Sequence, residues 1–195
     1  MGPRRPIPGR PRRALGRAAP RFGDIDLLCG NALGGALAQA LLGELPPTTA
    51  ALLVSGPART DGVLDARLAR IAEMAEAGRV GEALRLLSLR ILPEGALPPR
   101  LPAEAPPPPA EAGPRLAGGL RLLCGSNVSA SVLRHPGPLL NIVGGRSQLV
   151  GHQHTAAAAH HEIRTVPGCG MRPQSERPGE VSRIIQAFLR EKRIL

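Results

Sequence analysis

Over residues 24–35 a short apolar run leads into a glycine-bracketed turn and then into an Ala/Leu-rich segment. This junction constrains the chain more than any other stretch. Ile25, Leu27, Leu28 and Cys29 predict a buried strand of a parallel sheet, because strands covered on both faces read as continuous apolar runs. Gly30, Gly34 and Gly35 then bracket Asn31, Ala32 and Leu33. Glycines at this spacing let the backbone turn sharply from strand to helix, thrust one side chain outward and bring the helix close behind. The pattern is Gly-x-Z-x-Gly, and Z is Ala32, whose methyl group has no atom able to attack a carbonyl.

The rest of the chain supplies partners for that strand and helix. Residues 33–42 predict a helix with Leu37, Ala38, Leu41 and Leu42 on one apolar stripe, and 50–54 a second buried strand, which together make a βαβ unit with parallel neighbours. From 61 to 115 the texture is helical with proline interruptions. Leu64, Leu68, Ile71 and Ala75 recur at helical spacing over 64–77, Gly78 closes that helix, and 80–92 resumes with Ala83, Leu84 and Leu87. A loop over 98–114 follows, with the proline run 106–109, and then a short helix over 116–123. Residues 139–143 predict a third buried strand and 161–166 a fourth, with 155–160 helical between them. A closing helix over 181–193 has Val181, Ile184, Ile185, Phe188 and Leu189 on one face, with Pro178 ahead of it.

Charge narrows the function classes. The net charge is +10, but the tail 1–22 holds seven arginines and no acid, leaving 18 of the 25 basic side chains against 15 acidic ones in the body. The excess belongs to a Pro/Arg-rich tail with no structural pattern, and the chain has only two phenylalanines and no Trp or Tyr. Specific RNA or single-strand binding pairs charge with stacking aromatics, so only non-specific, salt-sensitive nucleic-acid binding through the tail is expected. Three scattered cysteines, Cys29, Cys124 and Cys169, form no disulfide framework or metal knuckle. No apolar run is long enough to span a membrane, and the expected setting is the cytoplasm.

The junction resembles the nucleophile elbow of the α/β-hydrolase superfamily, in which Z is normally Ser and sometimes Cys or Asp. Two further segments carry the same resemblance. PLLNIVGGRSQLV over 138–150 resembles the superfamily's seventh strand and acid loop, and the acid position falls on Ser147. VPGCGMRPQSERP over 166–178 resembles the histidine loop, and the histidine position falls on Met171. The resemblance therefore implies a triad replaced by Ala32, Ser147 and Met171, and a hydrolase-like protein without hydrolase chemistry. It implies an oxyanion-hole amide at Leu33, elbow glycines at Gly30 and Gly34, and no cofactor or metal.

In the same terms, the implied fold is α/β, a partial α/β-hydrolase fold with a mostly parallel sheet matching the superfamily's strands five to eight. The core is expected over 23–60 and 116–195, with a small helical cap over 61–115 covering a pocket for a small-molecule ligand. The superfamily has four strands ahead of the elbow, whereas residues 1–22 do not read as strands. An N-terminally truncated chain is the expectation, with an open edge at the strand 25–29 available for pairing or self-association.

Asn31 is similar to the second elbow position of esterases and of meta-cleavage-product carbon–carbon hydrolases. The alternative reading is therefore an active esterase-like hydrolase, acting on a small ester or C–C bond, with a substitute nucleophile. Cys29 reads as a core strand residue, Cys169 as an exposed loop residue, and Ser126 and Ser147 as loop serines. His152, His154, His160 and His161 point apart on a helix and read as surface residues rather than metal ligands.

Overall fold

The computed structural model describes residues 25–97 and 108–194. The basic tail 1–22, Gly23, Asp24 and most of the proline-rich stretch, residues 98–107, lie outside the described residues. Four strands form one sheet: β1 (Leu27–Asn31), β2 (Ala50–Val54), β3 (Leu139–Gly144) and β4 (Glu162–Val166). They pair in sequence order, every pair parallel, with Cys29 opposite Leu52, Leu52 opposite Leu140 and Leu140 opposite Glu162.

The sheet's centre follows from composition. All six residues of β3 are buried, and its run Leu139, Leu140, Ile142 and Val143 serves both faces at once. Helices α1 (Leu33–Leu41) and α5 (Ser129–Arg134) cover one face, where Ala38, Leu53, Val132 and Leu139 share a cluster. The helix α7 (Pro178–Glu191) covers the other, setting Val181, Phe188 and Leu189 against Leu140, Ile142 and Val166. Pro178 opens α7 at a position where no amide is needed, and the apolar stripe predicted for this helix is the face it buries.

Above the carboxyl ends of the strands lie α2 (Gly62–Glu76), α3 (Val80–Ile91) and α4 (Ala112–Leu123), which form one apolar cluster with Ala36, Leu149, Val150 and Met171. Asp61 caps α2 by accepting the Leu64 amide at 2.8 Å, and Gly78 leaves it with φ of 78°. No described helix is long and apolar enough to cross a membrane.

Several local expectations are corrected. The first strand lies two residues later than 25–29, because the ladder continues until the Ala32 amide bonds Val54 O at 3.0 Å. The helix expected at 116 starts at Ala112, since Pro114 falls in its first turn, where the missing N–H costs nothing. Residues 155–160 are not helical, and two short helices, α5 and α6 (Pro173–Glu176), had no clear apolar period to announce them.

Among the described residues β1 bonds only to β2. Ala50 N–H donates to Asp26 O at 2.8 Å and Ala32 N–H to Val54 O at 3.0 Å, so the even-numbered residues face β2. The backbone groups of Leu27, Cys29 and Asn31 therefore point to the open side.

Candidate functional site

Ala32 links β1 to α1 with φ of 50° and ψ of −119°, a region that a residue with a Cβ rarely occupies. Three backbone bonds hold it there. Its amide donates to Val54 O, and its carbonyl accepts Gly35 N at 3.0 Å and Ala36 N at 3.2 Å. Crowding explains the glycines around it. A Cβ on Gly30 would lie 2.6 Å from Gly34 O, and one on Gly35 would lie 2.6 Å from the Cα of Gly56, whereas one on Gly34 meets nothing within 4 Å. The close approaches are thus made by Gly30 and Gly35, and Gly34, singled out from the sequence pattern, has room to spare. The amides of Leu33 and Gly34, in the first turn of α1, have no intrahelical acceptor, and no side chain caps the helix.

Two other loops converge on the same end of the sheet. Ser147 follows β3, and its hydroxyl lies 3.8 Å from the sulfur of Met171, in the loop after β4. Met171 is buried, donates its amide to Ile91 O at 2.9 Å and accepts the Ser55 hydroxyl on its carbonyl at 2.9 Å. Glu176 clamps this loop by accepting the amides of Gly170 and Arg172. Gln148 ties the β3 loop to the end of α3 through Leu89 O and Leu92 O, and Arg67 donates to the Gln148 carbonyl. Behind the elbow, buried Gln39 bonds Gly56 O and Pro57 O, and Asn141 bonds Gly56 O at 2.7 Å. Sequence periodicity gave no sign of these polar clamps, because each joins residues far apart in the chain.

A cavity of about 330 Å³ opens where these loops meet α2, α3 and α4. Ala32, Leu33 and Met171 line it, with leucines from α2, α3 and α4, while Asn31, Arg115 and Arg172 are its polar residues. Ser147 touches Met171 but is not part of the lining. Among the described residues the wall contains no Ser, Cys, His, Lys, Asp or Glu.

The histidines and cysteines lie elsewhere. His154 is buried and fully engaged: its Nδ1 accepts the Gly151 amide at 3.1 Å, which puts the proton on Nε2, donated to Asp61 at 3.1 Å. The Asp61 carboxyl is held below the usual carboxylate range, first by its bond from the Leu64 amide and then by His154. His160 and His161 do not diverge, since their rings meet edge to face with centroids 4.2 Å apart and both Nε2 atoms reach His135 O. His135 is itself buried against Thr49 O at 2.9 Å. Desolvation pushes both His135 and His161 below the ordinary imidazole range.

His154 and His161 are thus interior residues, because each spends its Nδ1 on a local backbone amide. No group of three or more His, Cys, Asp or Glu among the described residues is arranged to hold a metal. The cysteine expectations reverse. Cys29 is exposed on the edge strand, while Cys169 is buried against the α7 cluster, and desolvation raises both thiols.

No protein-family model matches the sequence, and no curated protein matches it significantly. Solved structures do match. An α/β hydrolase enzyme from a Medee basin deep-sea metagenome library superposes with a TM-score of 0.64 at 13% identity, over 84% of this chain and 64% of that one. An esterase from Exiguobacterium antarcticum gives 0.63 at 12% identity, over 84% and 67%. A thermophilic esterase from Thermogutta terrifontis gives 0.61 at 17% identity, over 85% and 65%. The chain spans less than two thirds of the length of the first and about that share of the other two, and at these identities the likeness is one of fold.

Proposed function

We propose that this chain, which carries a partial α/β-hydrolase fold, is a non-hydrolytic member of that fold that binds a small apolar molecule beneath the helices α2 to α4. The observation that carries the reading is the wall of the cavity at the elbow, apolar around Ala32 and Met171 and, among the described residues, without a nucleophile, an acid or a base. In this reading Ala32, Ser147 and Met171 occupy the three former triad positions, Leu33 holds the former oxyanion amide, and residues 61–115 act as the cap. A methyl group forms no acyl intermediate, and a thioether neither takes nor delivers a proton near neutral pH. The cavity volume falls within the range of small-molecule pockets.

The test has two arms. With p-nitrophenyl acetate and butyrate, the wild-type chain and Met171→Ala should both stay at the buffer rate, and robust turnover by wild type rejects the reading. Nile red should bind saturably at one site and lose that site in Gly119→Phe, because a side chain at 119 starts 3.2 Å from Leu33 Cδ2 at the cavity wall. Unchanged dye binding in that variant rejects the cavity as the site.

A further inference from the structure

The described lining of the cavity is apolar apart from Asn31, Arg115 and Arg172. Two of its three polar residues are arginines, Arg115 on α4 and Arg172 after Met171, and among the described residues no carboxylate belongs to the lining. Some arginines elsewhere among the described residues are paired with carboxylates. Arg121 meets Glu76 at 2.8 Å and Arg164 meets Glu162 at 2.8 Å. Neither Arg115 nor Arg172 has a side-chain hydrogen bond or ion pair among the described residues, even though Glu176 accepts the backbone amide of Arg172. Leu33 lines the same cavity, and its amide is one of those that α1 leaves unbonded at its positive end. Every polar feature of the lining is thus a donor or a cation, apart from the amide oxygen of Asn31 and backbone carbonyls.

Resting on the binding function proposed above, we infer that the ligand is an amphiphile with an apolar body and a single anionic end, a carboxylate or a phosphate monoester. The apolar body fills the space among Leu64, Leu68, Leu87 and Leu120, and the anion sits between Arg115 and Arg172. An uncharged apolar molecule would gain the same burial but no charge pairing with the two guanidiniums, which stay in water. A cation would meet like charge at the two arginines.

Isothermal titration of the full chain with hexanoate, octanoate, decanoate, decyl phosphate and 1-decanol tests this. Affinity should rise about fourfold per added methylene among the carboxylates until the cavity is full. At least one decyl anion should bind about tenfold or more tighter than decanol. In the double variant Arg115→Gln/Arg172→Gln, both exposed positions, the ratio of decyl-anion to decanol affinity should fall to about one. The stronger of decanoate and decyl phosphate identifies the anion. Equal binding of decanol and both anions by wild type, or a preference that survives the double variant, overturns the inference and leaves the binding function standing. No binding of any of the five compounds overturns both.

Discussion

Two neighbouring glycines at the elbow should respond in opposite directions to the same added methyl group. On Gly35 the new Cβ would lie 2.6 Å from Gly56 Cα, backbone against backbone, whereas carbon contacts are comfortable only near 3.5 Å, so α1 and the loop after β2 must part by about 1 Å. That separation breaks the bonds from Gln39 to Gly56 O at 3.3 Å and Pro57 O at 3.0 Å, each worth about 1 kcal/mol net. Overpacking adds about 1–3 kcal/mol, and the better helix propensity of alanine returns up to about 1 kcal/mol. Gly35→Ala should therefore lose roughly 2–4 kcal/mol, a fall in Tm of roughly 5–15 °C for a chain of this size.

On Gly34 the Cβ meets nothing within 4 Å, so Gly34→Ala keeps only the propensity gain, at most about 1 kcal/mol or a rise of about 2–4 °C. Thermal melts followed by circular dichroism read both. Equal shifts in the two variants, or a Gly35→Ala protein melting at or above wild type, would refute the packing described for the elbow.

Two further outcomes are expected. His135 and His161 have native pKa values depressed by desolvation, so the unfolded chain binds more protons just below the free imidazole pKa of about 6.5. Their contribution to stability is complete above that pH and is lost as pH falls through the depressed native values. Urea midpoints should drop on acidification below about pH 6.5, with a shallower drop in His161→Gln, and a midpoint that rises on acidification contradicts the buried neutral rings. Iodoacetamide should modify Cys29 in the native protein, more slowly than a free thiol because its thiolate is disfavoured, and spare Cys169 until denaturant is added. Mapping by peptide mass would show the reverse order if β1 were covered and the α7 face open.

The parts of this fold that were legible in the sequence are those whose local chemistry and tertiary burial agree. The strand Ala50–Val54 has the bounds that its apolar run suggests, and α7 buries the stripe that its period predicts. The alanines at 156–159 mislead, because helix propensity there is overridden: Ala158 gives its amide to His161 Nδ1 and Thr155 gives its hydroxyl to His152 O. Cys29 misleads for a different reason. Its apolar neighbours suit a buried residue, yet the strand lies at the edge that the resemblance implies, among the described residues, and the residue is exposed there. At the candidate site the sequence singled out the loops that carry Ala32, Ser147 and Met171. It missed Gln39, Asn141, Gln148 and Glu176, whose partners become neighbours only on folding.

Among the described residues the outer flank of β1 has no strand partner, so protein concentration is worth controlling in all of these measurements. Leu27, Cys29 and Asn31 present alternating donors and acceptors at strand spacing, the same template that the sheet uses internally to recruit β2. Any second strand that docks there would draw the melting curves and titrations away from those of the isolated chain in proportion to how often two molecules meet. A dilution series belongs beside each of them, and Cys29, on that flank, is the natural place for a reporter label.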